Sequence, residues 1–335
     1  PIAAAIGGMI VPAAIYFTMQ HKTPSVSGWA IPMATDIAFV VGFLSLLGKR
    51  VPHGLKITLL TLAIADDLGA ILVIALAYAH GFAREYFLAG LGFYLLIFLF
   101  NFLGVRRILT YVVLGAAMWY CVYRSGIHPT IAGVLLGLAA PTKRLMSHSA
   151  LNDFMDRFQD AFKTESNGNP VDREPLRKVA NEAVSPLERL LNDMHPWVSF
   201  LIMPLFALAN AGVPIEITAL ESSLAWAVIL GLLIGKPIGI FGLAWLSTFI
   251  KGVQFPRGVS KSVFFAASIL CGIGFTMSIF ISGLALKGEE LNTAKTGVLL
   301  GSAVSAAIGL FLLHKFLPRR EEDVINPEGS EYPAS

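Results

Sequence analysis

Ten stretches of mostly apolar residues divide this chain, and they limit its fold to one that lives in a lipid bilayer. They run at about 2–19, 28–47, 55–80, 86–104, 108–124, 127–140, 196–213, 222–250, 259–286 and 292–317. A helix needs about 20 apolar residues to cross the hydrocarbon core. Strands of a membrane barrel would instead show alternating segments of about 10 residues, and these stretches do not alternate. The expected fold class is therefore all-α, a polytopic transmembrane helical bundle. Of the 335 residues 55% are hydrophobic and only 14% charged, where a soluble domain carries about 25% charged residues.

Lys and Arg set the expected orientation. If the stretches alternate across the membrane, one side gathers nineteen basic residues and the other five, with Lys236 left inside a span. The basic side includes Lys49, Arg50, Arg106, Arg107 and Lys261 and the long loop 141–195. It should be cytoplasmic, which puts the C-terminus inside. Residues 1–317 then form one transmembrane domain with a cytoplasmic loop at 141–195, and the Glu-, Pro- and Ser-rich tail 318–335 reads as disordered. Within the loop, 150–162 and 174–192 could form amphipathic surface helices, and no enzyme motif is visible there. The chain starts at Pro1 already within an apolar segment, with no basic leader or cleavage site, and reads as shortened at its N-terminus. Cys121 and Cys271 both sit in apolar stretches, so no disulfide framework is expected. No basic run with interleaved aromatics suggests nucleic acid.

Of the 22 acidic residues only Asp36, Asp66 and Asp67 fall inside spans. A carboxylate at mid-bilayer costs roughly 2.5–3.5 kcal/mol on insertion scales, so these three must face each other, a cation, water or Lys236. Asp66 and Asp67 are adjacent near the middle of the third stretch. On a helix they point about 100° apart, one into a cavity and one toward a neighbouring helix. Two such carboxylates disfavour double ionisation and titrate as a coupled pair. They suit protons or a small hard cation such as Na⁺ or Li⁺, and competition between the two is enough for exchange. The plainer alternative is structural: the carboxylates pair with Lys236 and fix helix register.

Two stretches carry signs of breakage. In Ile31-Pro32-Met33-Ala34-Thr35-Asp36 the proline removes a donor, and Thr35 or Asp36 can cap a new helix start. In Leu270-Cys271-Gly272-Ile273-Gly274-Phe275-Thr276-Met277-Ser278, Gly272 and Gly274 and two hydroxyls suggest local unwinding, or else close helix packing. Half-helix ends carry partial charges, so Asp36 could offset positive ends and Lys236 negative ones. His128 and His195 sit at stretch boundaries and carry the side chain type that can change charge near neutral pH, although a boundary histidine is more often an ordinary polar residue. Gly231-Leu232-Leu233-Ile234-Gly235-Lys236 has only one glycine before Gly-Lys and is not a phosphate loop.

At Ala34-Thr35-Asp36-Ile37-Ala38-Phe39, Leu62-Ala63-Ile64-Ala65-Asp66-Asp67-Leu68-Gly69-Ala70 and Cys271-Gly272-Ile273-Gly274-Phe275-Thr276-Met277-Ser278, the chain resembles the NhaA family of Na⁺/H⁺ antiporters. Leu205-Phe206-Ala207-Leu208-Ala209-Asn210-Ala211-Gly212 and Gly235-Lys236-Pro237-Ile238-Gly239 match as well. The resemblance runs across nearly the whole chain. It implies inverted repeats with two crossed discontinuous helices at the ion site; that transporter rule was drawn partly from NhaA itself, so the agreement is not independent. It implies Asp66 and Asp67 as the cation- and proton-binding pair, with Asp67 the more direct Na⁺ ligand and Thr35 an added oxygen. Lys236 would pair with Asp66, and Asp36 would compensate helix ends. His128 and His195 align with positions tied to pH response. The family has twelve spans, so two would be missing here, with their acidic residues at the cytoplasmic ion entrance.

The function so implied is secondary, pH-regulated and electrogenic exchange in a bacterial inner (plasma) membrane. It is not enzymatic and needs no cofactor beyond the transported Na⁺ or Li⁺ and H⁺. The partners are the lipid bilayer and these ions, with room for a homodimer. The alternative is a proton-coupled transporter or channel for another cation using the same carboxylates. An intramembrane aspartyl protease would need aspartates on facing helices, one commonly in a Gly-x-Gly-Asp setting, and that motif is absent from the sequence.

Overall fold

The third stretch is apolar on both faces, and the one charge it seals inside is Asp66. It forms a helix, His53–Ala77 (called α3 below). Leu55, Leu59, Leu62, Asp66 and Ala70 are buried on one face, while Ile57, Leu60, Ile64, Leu68 and Leu72 are about half exposed on the other. An apolar outer face suits lipid, where burying apolar surface between helices gives no advantage.

The computed structural model describes residues 1–78, 81–105, 107–140, 186–212, 217–250, 252–256 and 258–317. The helix expected at 150–162, the part of 174–192 before residue 186 and the tail 318–335 lie outside the described residues. All regular structure among the described residues is helical, and the protein is a multi-helix membrane bundle. In chain order the helices are α1 Ile2–Gln20, α2 Ile37–Leu46, α3, α4 Arg84–Phe102, α5 Ile108–Arg124, α6 Thr130–Ala139, α7 Pro186–Trp197, α8 Met203–Ala211, α9 Ser223–Leu230, α10 Lys236–Ser247, α11 Lys261–Leu270, α12 Phe275–Ala285 and α13 Gly288–Phe316. Helices α1, α3, α4 and α13 and the run Ser223–Ser247 are long and apolar enough to cross a membrane.

Two spans are broken. The 3₁₀ segment Pro24–Met33 and α2 meet at a 40° bend, and α11 and α12 at 47°. The first half-span is 3₁₀ rather than α over ten residues. Such runs are uncommon beyond three or four residues and often mark functional hinges.

Two other runs continue through a widened turn. The π segments Val198–Ile202 and Gly231–Gly235 each end two residues before a proline, Pro204 and Pro237. A proline inside a helix lacks the N–H for the ladder and crowds the preceding turn, and opening that turn re-pairs the remaining groups.

The chain divides into two compact units, Pro1–Tyr78 with Phe206–Ser335, and Ala79–Leu205. In the second, Ile97, Tyr111, Met118, Val122 and Ala132 form an apolar centre, and Asn101 Nδ2 donates to Ala139 O at 2.9 Å, tying α4 to the end of α6. In the first, one apolar cluster joins Leu59 and Leu62 of α3 to Ile240, Phe264 and Leu270. A second joins Tyr16, Ile31, Val228, Leu232 and Ile279. Helix α10 lies directly against α1, because Gly7 and Gly239 leave no room for a Cβ between the two backbones. Small residues permit such approach in lipid, and here it fixes the height at which α10 presents its first residue, Lys236.

Candidate functional site

All four intramembrane charges lie in the first unit, and three of them are sealed from solvent. Lys236 is 0% exposed, Asp66 1% and Asp36 2%. Asp67 is half-buried. Lys236 Nζ donates to Asp66 Oδ2 at 2.8 Å and to Thr35 Oγ1 at 2.8 Å. This joins α10, α3 and the first break in one contact. A buried ammonium without such partners would be very costly.

The two breaks meet each other. Thr35 Oγ1 donates to Cys271 O at 3.1 Å, and Asp36 N–H donates to Ile273 O at 2.7 Å. Unwound backbone inside a membrane protein is tolerated only where its polar groups find partners, and here each break supplies the other's. Lys236 reaches the C-terminal end of α11 through Thr35, so its charge lies near a negative helix end.

Asp36 binds two helix starts. Its Oδ1 accepts from Phe39 N–H at 3.4 Å, capping α2, and its Oδ2 accepts from Thr276 N–H at 3.0 Å and Thr276 Oγ1 at 2.6 Å in the first turn of α12. Carboxylates at helix N-termini satisfy orphan donors and meet the positive end of the dipole. Thr276 belongs to the glycine-rich motif, and its pairing with Asp36 is a contact the sequence does not spell out. A hydroxyl two residues after Gly274 in a suspected new helix start was the available signal.

The Asp66–Asp67 pair is different. Asp66 Oδ1 and Asp67 Oδ1 are buried and have no hydrogen-bond partner. Buried polar atoms are nearly always bonded, so two free carboxylate oxygens on consecutive residues mark a place built to take a further ligand. Oxygen ligands suit hard cations, and a proton satisfies the same atoms.

Residues 1–313 match the sequence profile of the family described as Na⁺/H⁺ antiporter 1. The chain belongs to this family. It is 48% identical over 324 residues to the Na⁺/H⁺ antiporter NhaA of Rhodopirellula baltica, a match covering 95% of this chain and 73% of that protein. It is 44% identical over 329 residues to the Na⁺/H⁺ antiporter NhaA of Helicobacter pylori strain P12, covering 94% and 75%. Against Na⁺/H⁺ antiporter NhaA 2 of Vibrio vulnificus the identity is 39% over 328 residues, covering 96% and 73%. As a Na⁺/H⁺ antiporter family member the chain is a membrane transporter of ions.

Gly272 and Gly274 lie in the break between α11 and α12. A Cβ on Gly272 would stand 2.5 Å from Leu232 O and 2.7 Å from Ser305 Oγ. Both glycines therefore serve close approach as well as unwinding, so the two readings of the motif hold together. The histidines belong elsewhere: His128 and His195 are both in the second unit. His195 is exposed near the end of α7. His128 precedes α6, with Nδ1 2.8 Å from Thr130 Oγ1, and burial lowers its pKa.

Proposed function

We propose that this chain exchanges Na⁺ or Li⁺ for protons at Asp66 and Asp67, under regulation by pH. The observation that carries this reading is the contrast inside the charge cluster: Asp66 Oδ2 and Thr35 Oγ1 are held by Lys236, while Asp66 Oδ1 and Asp67 Oδ1 are buried and unbonded. A cation entering between the free oxygens gains Asp67 as its most direct ligand. It competes with the Lys236 ammonium for Asp66 and Thr35. Lys236 then gives up its place or its proton, since two cations on one carboxylate repel at such range. When the cation leaves, a proton returns and the Lys236–Asp66 pair reforms. Cation and proton thus bind in alternation, and neither nucleotide nor resident cofactor is required.

Residues 1–317 are proposed as one transmembrane domain of about ten spans in a bacterial inner membrane, with the basic loops, the 141–195 loop and the C-terminus cytoplasmic, and with room for a homodimer. The two discontinuous spans are read as members of inverted repeats, with Asp36 compensating both new helix starts and His128 and His195 contributing to pH response.

The test is the purified chain in proteoliposomes carrying an internal pH dye. Na⁺ or Li⁺ outside should drive proton movement without nucleotide, and the Asp67→Asn variant should not. Full exchange by that variant would sink the assignment, and ionic current without coupled pH change would point to a channel.

A further inference from the structure

Helix α13 is the longest of the described helices and carries no charged residue between Lys295 and Lys315. Its glycines let it lie close to two different neighbours. A Cβ on Gly297 would stand 2.9 Å from Ala225 O of α9, one on Gly301 3.2 Å from Leu232 Cδ1, and one on Gly309 2.9 Å from Leu270 N at the end of α11. One face of α13 therefore touches both the turn that leads into Lys236 and the half-helix that leads into the second break. Ser302 and Ser305, three residues apart and so on one face, lie between these contacts, and both are buried.

The two hydroxyls meet the unwound backbone differently. Ser302 Oγ accepts from Gly274 N–H at 3.2 Å. Cys271 O and Ile273 O accept from the first broken span, Gly272 and Ile273 N–H donate back to Ile269 O and Leu270 O of α11, and Gly274 N–H is tied to α13. Ser305 Oγ is fully buried with no partner. It faces Gly272, where one Cβ-sized point has Leu232 O at 2.5 Å, Ser305 Oγ at 2.7 Å and Ile269 O at 3.0 Å.

Leu232 O has a reason to be underused. In the widened turn Lys236 N–H donates to Gly231 O, and the same pattern would give Leu232 O the N–H of Pro237, which has none. A buried hydroxyl thus shares the space over Gly272 with two backbone carbonyls, one on the Lys236 turn and one in the last turn of α11, which leads into the second break, and is bonded to neither in this conformation. A small rearrangement of the break or of the turn brings one of them into hydrogen-bond range.

We propose that Ser302 and Ser305 are positioning residues for cation exchange, coupling the 271–274 break to the 231–235 turn so that a shift in one moves Lys236 relative to Asp66. Ser302 holds the break to α13, and Ser305, unbonded in this conformation, takes a hydrogen bond to one carbonyl or the other as the site changes state. Helix α13 is the fixed reference against which both unwound segments move. This rests on the exchange reading above.

The experiment compares wild type, Ser302→Ala, Ser305→Ala and the double alanine variant as full chains in proteoliposomes, with Ser302→Thr as the hydroxyl-retaining control. Initial rates are taken across Na⁺ concentration and pH, with melting temperature in detergent alongside. The expected result is an apparent KM for Na⁺ raised about three- to tenfold in the double variant, a displaced pH profile, little change in maximal rate, and a Ser302→Thr variant close to wild type. An unchanged KM and pH profile overturns the proposal, even if the melting temperature falls, since that is the mark of packing alone. So does an equal KM shift in Ser302→Thr and Ser302→Ala. If the double variant does not accumulate, the single variants are judged by the same criteria. Failure of wild type to exchange Na⁺ for protons would instead overturn the exchange reading.

Discussion

Asp36 and the Asp66–Asp67 pair are carboxylates in the same unit of the same bundle, and they are treated in opposite ways. Asp36 has three donors, on two helix starts, and both oxygens are used. Asp66 has one oxygen on Lys236 and one free, and Asp67 has a buried free oxygen next to it. A charge with all its bonds made is fixed in place, whereas a charge with bonds unmade has capacity for a ligand. The difference separates the residue that holds the breaks together from those with which the proposed function binds and releases ions.

The largest expected effect tests the free side of that contrast. Asp67→Asn should reduce Na⁺-driven proton movement to the level of empty vesicles and leave the melting temperature unchanged or higher, because a neutral amide in place of a buried, unbonded carboxylate removes a desolvation cost. Retained exchange, or a large loss of stability, would make Asp67 structural and erase the contrast.

The bonded side should respond in reverse. Asp36→Ala strands Thr276 N–H and its hydroxyl and uncaps α2. Hydrogen bonds to charged groups contribute about 1.5–3 kcal/mol each and are not additive, so the variant should lose about 3–5 kcal/mol in unfolding from detergent. Asp36→Asn keeps one acceptor and should lose less. Exchange should fall in both roughly in step with folded protein. Asp36→Asn that folds like wild type yet exchanges nothing would move Asp36 into the ion site.

Much of this site was legible because charge is so expensive in lipid. Three aspartates and one lysine stood out, and Pro32, Gly272 and Gly274 marked the breaks. Geometry supplied what no residue type announces. That the first half-span is 3₁₀, and that Tyr16 O–H donates to its Ser25 O at 2.7 Å, no residue type announces. That Asp36 spans both breaks depends on a backbone N–H 240 residues away. Serines 302 and 305 read from sequence as ordinary small residues of an apolar helix, and only the neighbouring carbonyls give them meaning. The widened turn before Lys236 does have a mark in the sequence: Pro237 deprives a carbonyl in the preceding turn of its N–H.

Lys236 stands between the two kinds of carboxylate, so its removal sharpens the comparison. Lys236→Ala leaves Asp66 buried without a counter-charge. Breaking a buried pair commonly costs 3–5 kcal/mol, but Asp66 escapes part of this by taking a proton, so about 2 kcal/mol is expected. The pH profile of exchange should shift, while the ratio of Na⁺ to Li⁺ rates should stay near wild type because Lys236 is not a cation ligand. An unchanged pH profile and melting temperature, or a changed ion preference, would count against its role as partner of Asp66.

The smallest effect concerns His128, which titrates outside this cluster. Burial lowers its pKa, so the folded state favours neutral imidazole. Its contribution to stability is then complete above the unfolded value of about 6.5 and declines as pH falls from there toward the folded value. His128→Gln should therefore lose slightly less melting temperature than wild type between about pH 8 and about pH 5. If pH dependence of exchange resides in Asp66, Asp67 and Lys236, the variant's exchange profile should move much less than that of Lys236→Ala. A shift as large as the lysine variant's would show that the second unit governs the response to pH, and the contrast between bonded and free carboxylates would then account for ion binding alone.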